Sequence, residues 1–444
     1  MTFAEMTALL FPRTNFGARL GLERIRAALD ALGSPERCAP VLHVAGTNGK
    51  GSTCAFAAES LRAAGLRVGL YTSPHLRHFC ERIRIDGQPL AEQVAADLFG
   101  ELAALPGALD PEGLTFFELA TALAFLAFSR AAVDVMVIEV GLGGRLDATN
   151  VVEPIACAVA PLGLEHTQYL GPTLADIARE KAGIFKPGVT AVTSKQAGAA
   201  LRILQREAER IGAPLWENGR DYSYEASEAQ PFRYSGPGAD GWRVRLPAGT
   251  ELSLPGQHQR GNAALACALL EAGARRGLPI GPEHVSVGLT SARWPARLEK
   301  VADRPLTFVD GAHNPHAAEA LAASLPALLG GRPLELVFGA LADKDAPAML
   351  KILLPLASRV HLCEPDSPRA FPVAKLAEAA AAFAPAGKLV VHPGPDSFAA
   401  ALEGARRSAG QDGAVVICGS LYLAGEALGL FAGSTGKAMP GERL

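Results

Sequence analysis

Leu42-His43-Val44-Ala45-Gly46-Thr47-Asn48-Gly49-Lys50-Gly51-Ser52-Thr53, LHVAGTNGKGST, decides how the rest of the chain is read. Val41, Leu42 and Val44 supply a short apolar strand. Gly46, Gly49 and Gly51 let the backbone turn tightly, and Ser52-Thr53-Cys54-Ala55-Phe56-Ala57-Ala58 opens a helix. Backbone N–H groups at such a helix start point at an anion, Lys50 adds a mobile positive charge, and Ser52 or Thr53 offers a hydroxyl to a bound metal. The stretch therefore reads as a phosphate cradle, with an ordinary strand-to-helix turn as the alternative. It departs twice from the strict P-loop pattern GxxxxGK[ST], which wants glycine at Val44 and a hydroxyl at Gly51.

At 444 residues the chain exceeds one typical core, so two domains are expected. A composition 49% hydrophobic and 20% charged is that of a soluble globular protein. The net charge of -3 and the lack of any Lys/Arg-rich block argue against nucleic acid as partner and leave a small molecule. Seven scattered cysteines, odd in number and without a CxxC pair, read as reduced, mostly buried thiols. The first residues show no basic start followed by an apolar stretch and a cleavage site. The longest apolar run, Leu119–Phe128, is half of the about 20 residues a membrane span needs. No membrane association is expected, and the expected compartment is the cytoplasm.

Leu20 to Leu32 has helical spacing and stops at Gly33-Ser34-Pro35. Val68 to Tyr71 is a second strand, delivering Thr72-Ser73-Pro74-His75 at its carboxyl end, where ligands collect in open parallel sheets. That puts Ser73 and His75 near the phosphates; a turn-capping Ser and a surface His are the alternative. Thr115 to Phe128 is an apolar helix. Val133 to Val140 is a buried-strand pattern broken by Glu139, and a carboxylate there is costly unless paired or on a metal, so Glu139 is the first metal-ligand candidate. Gly141-Leu142-Gly143-Gly144-Arg145-Leu146-Asp147 begins like a dinucleotide fingerprint, but its last small residue would fall on Leu146 and no clear amphipathic helix follows.

Strand Ile155 to Val159 leads to His166, which either reaches a metal or caps a loop. The helix Leu174 to Ile184 carries Lys181, one of only ten lysines, whose spacing favours a solvated helix charge. Residues 217–255 break into short aromatic segments, a small antiparallel patch, and a helix resumes at Gly261. The boundary falls at Ser291 to Ala296, SARWPA. Beyond it, strands at Leu306–Val309, Leu334–Phe338, Val360–Cys363, Leu389–Val391 and Ala414–Cys418 alternate with alanine-rich helices, the rhythm of a parallel sheet. Asp310-Gly311-Ala312-His313-Asn314-Pro315 ends the first of these strands. Gly433-Ser434-Thr435-Gly436-Lys437, with no strand before it, reads as a loose tail.

HVAGTNGKGST, YTSPHL, ERIRIDG, TFFELATALAF, IEVGLGGRLDATN, LEHTQYLG, IAREKAGIFK and DGAHNP occur in one order over nearly the whole chain. Together they closely resemble the folylpolyglutamate synthase/dihydrofolate synthase family of the Mur ligase superfamily. The resemblance accounts for the P-loop departures, because this branch uses GTNGKGS. It implies an α/β protein: an N-terminal P-loop ATPase-like parallel-sheet domain, 1–293, carrying the small patch at 217–255, and a C-terminal Rossmann-like domain, 298–444. It implies ATP held by Gly49, Lys50, Gly51 and Ser52, with Asn262, Arg297 and Asp310 at nucleotide-contacting positions. Ser73 and Glu139 match a first Mg2+ site and His166 a second. Lys181 matches a lysine that the family carbamylates, and His313 lies on the acyl-phosphate or glutamate side. Leu20-Gly21, Phe116-Phe117 and Leu146-Asp147-Ala148 fall where the family forms its pterin pocket.

The implied reaction transfers the γ-phosphoryl group of ATP to a carboxylate and lets the amine of L-glutamate attack the acyl phosphate, with dihydropteroate or reduced folates as acceptor and a monomer as the working unit. Two anions meet in the first step, so Lys50 and Mg2+ have charge to neutralise. Two other readings remain open on motifs alone. A binding-switch NTPase would hydrolyse nucleotide regardless of pterin or glutamate, and a nicotinamide oxidoreductase would bind NAD(P) and not ATP.

Overall fold

Side chains alternate along a strand, so β1 (Val41–Ala45) sends Leu42 and Val44 into one apolar cluster and Val41 into another, and is buried on both faces. The computed structural model describes residues 1–16, 19, 21–227, 230–394, 396–433 and 439. β1 is central to an eight-stranded sheet with β2 (Val68–Tyr71), β3 (Ile83–Ile85), β4 (Gln88–Pro89), β5 (Val135–Glu139), β6 (Ala156–Val159), β7 (Thr190–Thr193) and β8 (Leu215–Glu217). The order is β4-β3-β2-β5-β1-β6-β7-β8, parallel except for β3 and β4, which add an antiparallel edge. The helices Lys50–Ala63, Gln257–Ala274 and Pro282–Ser291 share the cluster on one face, and Phe116–Arg130 and Glu23–Ala31 pack on the other. Phe116–Arg130 is buried almost all round and starts at Thr115, which exchanges capping hydrogen bonds with Glu118.

The helix expected from Leu20 begins at Glu23 instead, after Gly21, whose φ of 131° is not helical; Leu20 itself lies outside the described residues. The antiparallel patch is a three-stranded sheet of β9 (Ser223–Tyr224), β10 (Arg233–Ser235) and β11 (Arg243–Arg245). Glu217, expected to open it, ends β8 of the large sheet. Buried Glu271 fastens the patch to the Gln257–Ala274 helix, accepting from Tyr234 Oη at 2.9 Å and Trp242 N at 3.1 Å.

After Ser291 a linker leads to a second sheet of β12 (Glu299–Asp303), β13 (Leu306–Val309), β14 (Leu334–Phe338), β15 (Arg359–Leu362), β16 (Leu389–Val391) and β17 (Ala414–Cys418), in the order β12-β13-β17-β14-β15-β16. The expected parallel sheet is there, with one addition. Only Arg304 and Pro305 separate β12 from β13, too short a link for a parallel crossover, so β12 pairs antiparallel and makes the sheet mixed. Cys38 is exposed and the other six cysteines are buried. Among the described residues no helix is long and apolar enough to cross a membrane. Of the tail expected at Gly433–Lys437, residues 434–437 lie outside the described residues.

Candidate active site

β1 lies between β5 and β6: the chain leaves it toward β2 and β5 on one side and then crosses past it to β6 on the other, which opens a crevice at its carboxyl end. The phosphate turn fills that crevice. Gly49 has φ of 83°, and a Cβ there would collide with Asn262 Oδ1, so conformation and space both require glycine. A Cβ on Gly51 would lie 2.7 Å from Trp294 Nε1. The linker tryptophan thus occupies the room a side chain at 51 would need, which gives the second P-loop departure a steric cause. Ser52 Oγ and Thr53 Oγ1 are buried and find no hydrogen-bond partner among the described residues, a costly state that ligand oxygens would relieve.

Around the turn the cavity wall carries Lys50, Ser73, Glu139, His166, Lys181, Arg297 and His313. Lys50 Nζ donates to Thr47 O at 3.2 Å and stands 3.9 Å from Glu139 Oε1. Ser73 N donates to Glu139 Oε2 at 3.2 Å, which brings the expected first metal pair together. Burial pushes the Glu139 carboxyl up, against the opposing pull of Lys50, the Ser73 amide, Arg297 and Arg82. Lys181, whose spacing favours a solvated charge, is only 5% exposed. Its helix face turns inward, and Nζ donates to Gly46 O at 2.8 Å. Burial, with Lys50 nearby, lowers its amine to about 7. His166 is lowered to about 4 by burial, leaving a neutral imidazole able to ligate.

Glu165, beside His166 and marked by no motif, is a junction. Its Oε1 faces His313 Nε2 at 3.2 Å, Asn314 Nδ2 at 3.4 Å and Lys344 Nζ at 3.6 Å, all from the second half of the chain. Burial pushes its carboxyl up, but the hydrogen bond and charge of His313, with His166 and Lys344, prevail and hold it well below the usual carboxylate range. Lys344 follows β14 as Glu165 follows β6. The carboxyl-end rule that points to Ser73 and His75 is a signal for both. Asp310 accepts from Leu298 N at 2.9 Å and Ala312 N at 2.8 Å, tying linker to loop, and it shares a second pocket with Asn262, Arg297 and Ser52. Asn262 Nδ2 donates to Gln259 Oε1 at 2.8 Å. His75, read as near the phosphates or on the surface, lines the cavity and is buried, with Nδ1 accepting from Arg82 Nε at 2.9 Å.

Among the described residues, those expected at the pterin pocket do not line this cavity. Phe116 is buried among Phe11, Phe79 and Arg82, whereas half-buried Phe117 rests against Gly141. Both Asp147 carboxylate oxygens are engaged, by Leu142 N at 2.8 Å and Thr149 N at 3.0 Å. Ala148 is buried, Leu146 half-buried, Gly21 is non-helical, and Leu20 lies outside the described residues. The dinucleotide fingerprint does not form: after Gly141–Asp147 comes a single 3-10 turn, Ala148–Val151, and no α-helix whose N-terminus would hold a pyrophosphate.

The chain matches the Mur ligase middle domain over residues 44–270 and the Mur ligase, glutamate ligase domain over residues 296–421. It is 36% identical over 437 residues to folylpolyglutamate synthase of Lacticaseibacillus casei, covering 96% of this chain and 97% of that protein. To dihydrofolate synthase/folylpolyglutamate synthase of Escherichia coli K12 it is 35% identical over 409 residues, covering 91% and 89%. The solved structure of E. coli FolC in complex with DHPP and ADP superposes with a TM-score of 0.86 at 34% identity over 98% of both chains.

Proposed function

The chain belongs to the folylpolyglutamate synthase/dihydrofolate synthase family of Mur ligases and is an ATP-dependent amide-forming ligase, and from that premise we propose how its residues divide the work. The acceptor is dihydropteroate, a reduced folate or both, and the amine is that of L-glutamate. Residues 1–293 hold ATP, and residues 298–444 bring the amino acid to it. The observation that carries this reading is the convergence on one cavity of the phosphate turn, Glu139, His166 and Lys181 with Arg297 and His313 from beyond the boundary.

A carboxylate is a poor acyl donor until phosphorylated. Gly49, Lys50, Gly51 and Ser52 cradle the phosphates, with Lys50 countering the charge that gathers as the acceptor carboxylate approaches the γ-phosphoryl group. Asn262, Arg297 and Asp310 surround the rest of the nucleotide, and His313 faces the acyl phosphate. The glutamate amine then attacks the acyl carbon and phosphate leaves. Gly21, Phe117 and the Leu146–Ala148 turn, with Phe116 as backing, shape the acceptor pocket.

The donors fit Mg2+. Among the described residues no three His, Cys, Asp or Glu side chains converge as a metal site, and Mg2+ characteristically takes one or two carboxylates and completes its shell with phosphate oxygens and water. Ser73 and Glu139 would hold one ion and His166 a second; when bound, they supply electrostatic neutralisation between the reacting anions. Lys181 is suited to carbamylation, since an amine titrating near 7 is substantially neutral and nucleophilic at physiological pH. Its nitrogen adds to CO2 and loses a proton, replacing a cation by an anion beside the metal ligands. We place the enzyme in the cytoplasm as a monomer.

The test is an assay of purified protein with ATP, Mg2+ and L-glutamate, run separately with dihydropteroate and tetrahydrofolate and with products resolved by mass. Glutamylated product with at least one acceptor is expected. Absence of acceptor-dependent phosphate release with both would overturn the assignment.

A further inference from the structure

Asn48 stands one residue before Gly49 and two before Lys50, outside the residues assigned to nucleotide, metal or acceptor. Its main chain belongs to the first half of the molecule: Thr47 N and Asn48 N donate to Pro161 O at 3.1 and 3.2 Å, and Thr47 Oγ1 donates to Gly163 O at 3.1 Å. Its side chain is held by the second half. Asn48 Nδ2 donates to Asn314 Oδ1 at 3.1 Å, and Asn314 Nδ2 donates back to Asn48 Oδ1 at 3.1 Å, a closed amide pair. The remaining Asn48 hydrogen points to His316 Nδ1 at 2.8 Å. Asn314 is itself fixed, because it is buried and its Oδ1 caps the Pro315–Leu329 helix by accepting from Ala317 N at 2.8 Å.

We propose that Asn48 and Asn314 are positioning residues: their amide pair registers closure of the second domain directly on the phosphate turn, so that phosphoryl transfer is productive only in the sealed site. The proposal rests on the ligase reading above. A reciprocal pair has no half-way state. Each amide gives the other one donor and one acceptor, and a displacement of the helix cap by about an ångström pulls both bonds past hydrogen-bonding distance together. The strain falls on the residue next to the turn that presents Lys50, whose Nζ is tied to Thr47 O. An open site also admits water. Water attacks the acyl phosphate, releases phosphate and regenerates the carboxylate, so ATP is consumed without an amide. Loss of the pair should therefore uncouple the reaction as well as slow it.

The experiment compares wild type with Asn48→Ala, Asn314→Ser and the double variant. Serine caps a helix as asparagine does but is too short to reach Asn48, so Asn314→Ser removes the pair and keeps the cap. ADP formed and glutamylated product are measured together, with KM for ATP and thermal unfolding alongside. Each single variant should lower the rate of amide formation on the order of tenfold, and the double by much less than the product of the two, since the pair is lost in each, while Asn48→Ala also removes the contact to His316 and Asn314→Ser the contact to Glu165. ADP formed per amide should rise several-fold above the wild-type ratio, while KM for ATP changes little. A structural role alone would lower the unfolding temperature and leave that ratio unmoved; an unmoved ratio in both singles, or losses that multiply in the double, would overturn the proposal. Wild type that forms no amide would instead overturn the ligase reading, and the coupling with it.

Discussion

Lys50 is poised between Thr47 O and the Glu139 carboxylate, close enough to each to be drawn toward an arriving phosphate. Removing a preorganised charge of this kind costs about 3 kcal/mol of transition-state stabilisation, so Lys50→Ala should lose about two powers of ten in kcat/KM; near-normal turnover would sink the phosphate-turn assignment. Lys181 carries two tests. Replacing it with alanine should impair ligation, with bicarbonate partly restoring some short-side-chain variants, and full activity of Lys181→Ala would show that no carbamate is needed. Its stability effect has a definite sign. The amine titrates near 7 in the fold against its ordinary 10.5, so between those values the unfolded chain binds the extra proton and the folded state gains as pH rises. In CO2-free buffer, wild type should become steadily more stable relative to Lys181→Met from pH 7 to pH 10, and a flat difference would contradict the buried amine. Lys181 also marks where sequence ran out. Charges before and after it read as a wet helix face, and only the packing of that helix beneath the phosphate turn reveals its burial. Glu139 was legible because a lone carboxylate in an apolar strand costs too much to stand there without a cation or a metal beside it.

At the scale of elements, the phosphate turn is held open by absence of side chains. Gly49→Ala would need a left-handed backbone and collide with Asn262, so it should destabilise the fold by about 1–3 kcal/mol. Urea unfolding followed alongside KM for ATP checks this, with both expected to worsen. β13, β14 and β17 match the apolar runs read from sequence residue for residue, because buried parallel strands carry little else, and β16 matches its run although it lies at the half-exposed sheet edge. β3, β4 and β12 show no such run: β4 and β12 are edge strands and β3 lies beside β4, all short or studded with charges such as Arg84 and Lys300, and their pairing is decided by neighbours rather than by their own pattern. The Phe116-Phe117 pair shows the same limit, since sequence offers two adjacent aromatics and the helix rotation buries one and leaves the other half-open.

Across the whole molecule the two halves meet through Glu165, whose single oxygen faces His313, Asn314 and Lys344. A carboxyl held below its ordinary range contributes stability above that range and loses it as pH falls through the folded value, so this junction should weaken only in acid. Glu165→Ala should loosen it at neutral pH: solution scattering is expected to give a larger radius of gyration than wild type, and an unchanged radius would show that other contacts keep the halves together. That Arg297 and His313 cross the boundary to complete the site was legible only through resemblance, because no local pattern reports which strand end faces which. The distribution of thiols gives a practical means of watching this motion. Cys38 is the exposed cysteine, on the first half, and its partial burial raises its pKa, so a maleimide dye should couple there under mildly alkaline conditions while the six buried thiols stay unmodified. One added cysteine, for instance Lys375→Cys on the exposed side of the Val373–Ala381 helix, would complete a fluorescent ruler between the halves without rebuilding the native chain.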